Sequence, residues 1–175
     1  MPLWAPVAAA HLGYAYHLSG RGADAHALLE EVLAEDATGG LIFGRGLRAA
    51  YASEVNLRMG REKEAIALAD QALKLSRQYG ERGHEAWALC CRAEIYAHQN
   101  HVPQAEDLYS QCLALAETLG MRALSAHCHL DLGQFYAALG DAPKARERLE
   151  RALLQYSEMG MQLWLERAES ALKAL

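Results

Sequence analysis

The chain has 175 residues, of which 52% are hydrophobic, and its 17 Lys and Arg against 22 Asp and Glu give a formal net charge of −5. This composition is too apolar for a disordered segment and too acidic for a module that binds nucleic acid through phosphate contacts. No run of about 18 apolar residues occurs, so we expect no membrane span. The N-terminus lacks the basic start of a secretory signal, and the cysteine spacing is unlike that of small disulfide-rich domains, so we expect a cytoplasmic protein.

A period of 40 residues runs through the chain in four copies. Glycines recur in two series, with asparagine replacing glycine once, and alanine, leucine, small-residue and tyrosine positions keep the same step. The columns are Gly20, Gly60, Asn100 and Gly140; Gly40, Gly80, Gly120 and Gly160; Ala25, Ala65, Ala105 and Ala145; Leu33, Leu73, Leu113 and Leu153; Gly13, Ser53, Ala93 and Gly133; and Tyr16, Asn56, Tyr96 and Tyr136. Repetition of this kind is the signature of a stacked-repeat architecture.

Between the glycines the apolar residues follow the period of an α-helix. Ala65, Leu68, Ala69 and Ala72, for example, lie at i, i+3, i+4 and i+7, which is the spacing of one helix face. Each copy is therefore predicted to be a helix pair closed by two turns, with a looser, glycine-rich joint over 36–46. In chain order we predict helices over 5–18 and 23–35, 45–58 and 62–79, 83–98 and 102–119, and 123–138 and 142–158, with a ninth over 162–174.

The segments Leu12-Gly13-x-x-Tyr16 and Leu132-Gly133-x-x-Tyr136, each followed by a glycine and an alanine, resemble tetratricopeptide repeats (TPRs). The 40-residue period is similar to that of the long TPR form found in bacterial signalling ATPases, nucleotide-cyclase fusions and multidomain transcription activators.

This resemblance implies an all-α, right-handed superhelical solenoid of four helix-turn-helix repeats plus a C-terminal capping helix, in one domain over residues 1–175. The repeats are expected at about 5–40, 45–80, 83–120 and 123–160, with the cap at 162–174. A chain of this kind is expected to be a fragment of a larger protein.

Three chemical sites were considered and set aside. His127, Cys128 and His129 are adjacent on a predicted helix, where successive side chains diverge by about 100°, so they do not converge on one zinc ion. The glycines of 39–46 lack the Lys-Ser/Thr of a phosphate loop. No nucleophile, acid–base pair or cofactor motif is evident, so we predict no enzyme activity, no metal and no cofactor; the cysteines are expected to be buried apolar residues.

The resemblance places the first helix of each pair along a concave groove, so residues one repeat apart should lie side by side there. The alternative is that these residues are ordinary solvent-exposed helix surface. The candidate partner-binding residues on this face are Tyr14, Leu47, Glu54, Arg58, Trp87, Glu94, His98, His127 and Gln134.

We therefore expect a non-catalytic scaffold that docks a peptide or helix of a partner protein, with one apolar anchor and basic side chains, within a signalling protein. The alternative is a sensor module that binds a small effector in the same groove. We expect the chain to bind neither nucleic acid nor membranes. An apolar N-terminal helix, with Leu3, Trp4 and Val7, also suggests a homodimer.

Overall fold

The computed structural model describes residues 4–39 and 41–175. Nine α-helices account for the regular structure within these ranges, and their ends agree with the predicted ones to within two residues. They are α1 (Ala5–Leu18), α2 (Gly22–Ala37), α3 (Arg45–Arg58), α4 (Glu62–Gln78), α5 (Arg82–His98), α6 (Val102–Thr118), α7 (Arg122–Ala138), α8 (Ala142–Met159) and α9 (Gln162–Lys173). Leu3 and Gly40, which the sequence analysis singled out, lie outside the described residues.

The turns between paired helices use left-handed backbone, as the glycine columns predicted. Gly20, Gly60 and Gly140 have φ of 78°, 74° and 77°, and the one asparagine of that column, Asn100, has φ of 57°. Asparagine tolerates this region better than other residues with a Cβ, which explains its place in a glycine column.

The chain forms two compact units, Met1–Ile95 and Tyr96–Leu175. In the first unit, one buried cluster joins α1, α2 and α3 through Ala10, Leu29 and Val55. A second, alanine-rich cluster joins α3, α4 and α5, and its small side chains allow the helices to approach closely. The buried members of this second cluster are Ala49, Ala50, Leu57, Ala65, Ala69, Ala72, Ala88, Cys91 and Ile95.

In the second unit, α9 covers the end of the last helix pair. Ala168 of α9 is fully buried and belongs to one cluster with Ala126 of α7 and Leu149 and Tyr156 of α8. The opposite side of α9, including Glu166, is exposed. A terminal helix with one buried and one wet face is what a repeat array needs at its end.

Small residues in the first helix of a pair face a leucine of the second helix. A Cβ added at Gly133 would lie 2.6 Å from Cγ of Leu149, and one added at Gly13 would lie 3.0 Å from Cγ of Leu29. The sequence reasoning placed Ala25 in this notch; the side chain found there is Leu29, four residues later on the same face, while Ala25 contributes its carbonyl oxygen at 3.6 Å. The four cysteines are buried, as predicted.

Candidate functional site

The first helices of the first unit bring together seven aromatic and charged side chains, which we call the aromatic–acidic cluster. Helices α1, α3 and α5 supply them at positions that are one repeat step, or one or two helical turns, apart. Its members are Tyr14, His17, Tyr51, Glu54, Arg58, Trp87 and Glu94.

Three rings from three helices form the apolar part of the cluster. Tyr14 and Tyr51 stack with ring centroids 4.2 Å apart and planes 11° from parallel. Trp87 stands edge-on to both, 6.1 Å from each centroid. Offset-stacked and edge-to-face pairs are the favoured arrangements of aromatic rings, so this trio is a rigid support and not a chance contact.

The carboxylates lie at the polar side of the rings and are held by named donors. The Tyr14 hydroxyl donates to Oε2 of Glu54 at 3.1 Å, and Nε2 of His17 lies 3.3 Å from the other oxygen of that carboxylate. The Arg58 guanidinium donates to Oε1 of Glu94. Arg58 is about half exposed and Glu94 is buried, so the pair reaches from the cluster to solvent.

Burial and mutual repulsion shift the ionisation of the cluster. Burial, helped by the nearby Glu54 charge, raises the pKa of Glu94 to about 7, against the opposing pull of Arg58 and His17. The same two causes raise the pKa of Tyr51 to about 12, and they raise the pKa of Tyr14 well above its ordinary value. The cluster therefore holds its tyrosines neutral, and one of its two carboxyl groups ionises near neutral pH.

The structure brings five of the predicted site residues into this cluster: Tyr14, Glu54, Arg58, Trp87 and Glu94. Leu47 is half-buried and packs against the core cluster of α1, α2 and α3.

The remaining predicted site residues belong to the second unit. His98 and Gln134 are exposed on α5 and α7. His127 shares a hydrogen bond of 2.7 Å between Nδ1 and the Tyr156 hydroxyl, and its ring lies 4.3 Å from that of Trp164.

Sequence reasoning missed Tyr51 and His17. Both are three residues from a predicted member on the same helix, since Tyr51 precedes Glu54 and His17 follows Tyr14. Residues at i and i+3 share a helix face, so this spacing was the signal that could have found them.

Buried His129 in the second unit occupies a column that is otherwise apolar. Its counterparts two and one repeat steps earlier are Ala49 and Leu89, both buried. Its Nδ1 has no hydrogen-bond partner among the described residues. Burial, with help from the charges of Arg148 and Arg151, lowers the pKa of His129 to about 4, so the ring is neutral at physiological pH.

Paired helices of this length, with small residues at their crossings and glycine turns, define the class of helical-repeat proteins. The sequence profile described as "Tetratricopeptide repeat" matches residues 47–118 and 86–158, and a second profile of that description matches residues 6–31. The chain belongs to the tetratricopeptide repeat family, and the predicted all-α helical-repeat solenoid fold is confirmed.

A curated relative and two solved structures are similar to this chain. It is 26% identical over 97 residues to the 43 kDa receptor-associated protein of the synapse from Tetronarce californica, a match that covers 51% of this chain and 24% of that protein. A signal transduction ATPase with numerous domains and a tetratricopeptide repeat sensor, from Pyrococcus horikoshii, aligns over 97% of this chain and 26% of its own, with 18% identity and a TM-score of 0.70.

The second structure, BtubC from P. vanneervenii, aligns over 93% of this chain and 75% of its own, with 20% identity and a TM-score of 0.62. At these identities the structural likeness establishes the fold. The chain spans about a quarter of the length of the curated relative.

Tetratricopeptide repeats are in general non-catalytic scaffolds that bind other proteins, which supports the coarse functional prediction. Within the described residues, none of the helices has the length and hydropathy that crossing a bilayer requires.

Proposed function

We propose that this chain is a non-catalytic protein-interaction module that docks a basic peptide or helix of a partner against the aromatic–acidic cluster. The observation that carries this proposal is the position of Trp87, edge-on to the Tyr14–Tyr51 stack and on the same face as two carboxylates, Glu54 and Glu94. Interfaces draw most of their energy from a few aromatic anchors in desolvated surroundings.

The charge of the cluster favours a cationic partner. The Arg58 guanidinium, which pairs with Glu94, is about half exposed. A lysine or arginine of the partner would add a second positive charge beside Glu54 and Glu94, and its attraction to the two carboxylates would offset part of the cost of desolvating it. His98 and Gln134, exposed on the second unit, are proposed as partner contacts of that unit by itself.

We also propose that the module belongs to a larger cytoplasmic signalling protein. The chain covers only 24% of the curated relative and 26% of the signal transduction ATPase, which supports a role as one part of a multidomain chain.

Self-association through α1 is a separate part of the proposal. Trp4 is 59% exposed, and its only described ring contact is with Phe43, 6.4 Å away and itself 54% exposed. A second copy would cover this pair of rings. Sedimentation velocity at increasing concentration should show a dimer that Trp4→Glu abolishes, and a wild-type monomer at all concentrations would contradict it.

Peptide selection tests the docking site. A random peptide library displayed on phage, selected on the wild-type chain, should yield sequences with one large apolar residue and several Lys or Arg. Trp87→Ala should weaken the selected peptides at least about fivefold, and Glu94→Lys should remove the preference for basic residues.

The matched control is Asp107→Lys, the same type of charge change at an exposed position of α6, which should leave binding unchanged. Selection of the same peptides by Trp87→Ala, or their loss on Asp107→Lys, would exclude the cluster. If the wild type enriches no peptide class, the alternative ligand, a small effector, replaces the peptide.

A further inference from the structure

One position in the tyrosine column of the repeat holds an asparagine, and a cavity opens beside it. Tyr16, Tyr96 and Tyr136 occupy this position in three copies, and Asn56 occupies it in the second. Asn56 is buried, and its Nδ2 donates to the carbonyl oxygen of Ala52 on its own helix at 2.8 Å, so its short side chain stays against α3.

The fourth repeat shows what a tyrosine does here. The Tyr136 ring is buried beside two helices: its hydroxyl donates to Oε1 of Glu106 on α6 at 2.7 Å, and Nζ of Lys144 on α8 lies 4.9 Å from the ring centroid. The tyrosine thus connects the second helices of two consecutive pairs.

Two repeat steps earlier, the same positions belong to His26 on α2 and Glu64 on α4. Here the side chains leave a cavity of about 250 Å³ between the helices; it opens at Asn56 and includes His26 and Glu64 in its wall. Its apolar lining comes from Leu29, Leu33, Val55 and Leu68. An apolar cavity of about 150 Å³ is already large enough for benzene, so this one has room for a single substituted ring.

Arg61, which lies beside the cavity, is the counterpart of an arginine that covers a tyrosine ring in the first repeat. In the first repeat, the guanidinium of Arg21 lies 3.9 Å over the centre of the Tyr16 ring. Arg61 is its counterpart one step later, but the tyrosine position of its own repeat holds Asn56, and its Nη1 instead contacts Nε2 of His26 in the cavity wall. If a tyrosine ring occupied the cavity, the Arg61 guanidinium would be placed to cover its face and the His26 imidazole to bond to its hydroxyl.

We propose that this cavity, the Asn56 slot, is a binding site for one phenolic ring, supplied by a tyrosine side chain of a partner protein. The ring takes the place that Tyr136 fills in the fourth repeat, between α2 and α4. Its hydroxyl bonds to His26, as that of Tyr136 bonds to Glu106, and Arg61 covers its face as Arg21 covers Tyr16. This site lies between α2, α3 and α4 and does not rest on the aromatic–acidic cluster.

The probes are p-cresol, which is the tyrosine side chain alone, toluene, which lacks the hydroxyl, and N-acetyltyrosinamide. Titration of the labelled protein followed by NMR should show saturable shifts of the amides of His26, Leu29 and Val55 with p-cresol, at a dissociation constant on the order of 1 mM. Toluene should bind several-fold more weakly, because no hydroxyl meets His26.

Two variants and one control locate the site. Asn56→Tyr should fill the slot with its own ring, abolish p-cresol binding and raise the melting temperature. His26→Leu keeps the cavity and should reduce p-cresol affinity to that of toluene. Glu117→Tyr adds the same residue at an exposed position and should bind p-cresol like the wild type.

Absence of saturable shifts at 20-fold the expected dissociation constant would overturn the proposal, as would unchanged binding by Asn56→Tyr or by His26→Leu. N-acetyltyrosinamide should bind at the slot about as well as p-cresol. If p-cresol binds there and N-acetyltyrosinamide does not, a free phenol replaces the partner tyrosine, and that part of the proposal is wrong.

Discussion

Arg48 of α3 and Asp36 of α2 form a buried, two-point ion pair. Nε and Nη2 of Arg48 donate to the two carboxylate oxygens of Asp36 at 2.8 and 2.7 Å, and both residues are under 10% exposed. The same guanidinium also donates to the carbonyl oxygens of Leu41 and Phe43, at 2.6 and 2.8 Å. One side chain therefore holds the glycine-rich connection that the sequence analysis expected to be a loose joint.

Breaking this pair on one side should be costly. Arg48→Met removes both hydrogen bonds to the buried Asp36 carboxylate and leaves it only the more distant Arg45, whose Nε lies 3.8 Å from Oδ1. We expect a loss of about 3–5 kcal/mol in the free energy of unfolding. The double variant Asp36→Leu/Arg48→Met removes both charges and should be more stable than the single one, as measured by urea unfolding. A double variant that is less stable than Arg48→Met would show that the buried charge is not the main term.

Crowding at Gly133 predicts a reversal of the usual preference for alanine in helices. Gly133→Ala should destabilise by about 1–3 kcal/mol, because the new Cβ would meet Leu149 at 2.6 Å. Gly22→Ala, the control, places its Cβ in open space at the start of α2 and should stabilise by up to about 1 kcal/mol. Thermal unfolding of both variants measures the difference, and equal shifts would contradict the close contact.

The raised pKa of Glu94 makes stability depend on pH. Between pH 4.5, the ordinary value, and about 7, the folded chain retains a proton that the unfolded chain has released. The free energy of unfolding therefore falls as pH rises through this interval, and the loss is complete above it. Glu94→Gln should lose this slope, so its stability relative to the wild type should increase by about 1–3 kcal/mol from pH 4.5 to pH 8. Urea unfolding at both pH values tests this, and a constant difference would contradict it.

The lowered pKa of His129 acts in the opposite direction. As pH falls from 6.5 to about 4, the unfolded chain takes up a proton that the buried ring does not, so stability falls with falling pH. His129→Leu introduces the residue that Leu89 supplies one repeat earlier, and it should remove this acid-dependent loss. Unfolding midpoints of the variant and the wild type should diverge below pH 6.5, with the variant more stable. Parallel midpoints would contradict a buried, neutral histidine.

Much of the fold followed from the sequence because helix periodicity and turn chemistry are local properties. Asn100 could be assigned to a glycine column from its 40-residue spacing and its backbone preference, and the helix ends then followed to within two residues. Contacts between residues of different helices were harder to predict, because they are not local. Arg48 is an exception in its repeat column, which holds Ala88 and Cys128 in the next two copies. Its partner Asp36 lies near the end of α2, twelve residues away, so periodicity could not predict the pair.

The candidate site was predicted in part. Equal spacing predicted that Tyr14 and Glu54 lie side by side, and the structure has a hydrogen bond between these two residues, which are one repeat apart. That they bind a partner stays a prediction. The stack of Tyr51 on Tyr14 was missed because the two are not one repeat apart, and the Asn56 slot was missed because a cavity depends on what three helices leave unfilled. Periodicity predicts which residues lie side by side, whereas the cavities that remain depend on the packing of side chains from several helices.

The notch between paired helices also determines how such a chain can be recombined. Gly133 tolerates Leu149 because it has no side chain, whereas its counterpart in the second repeat, Ser53, donates to the carbonyl oxygen of Ala65 at 2.8 Å. The counterpart of Leu149 in the second repeat is the smaller Ala69. A chimera that joined α3 to α8 would set a hydroxymethyl group against a leucine. Helices are therefore not interchangeable parts here, and the hairpin, with its matched small and large positions, is the smallest module that can be exchanged between copies.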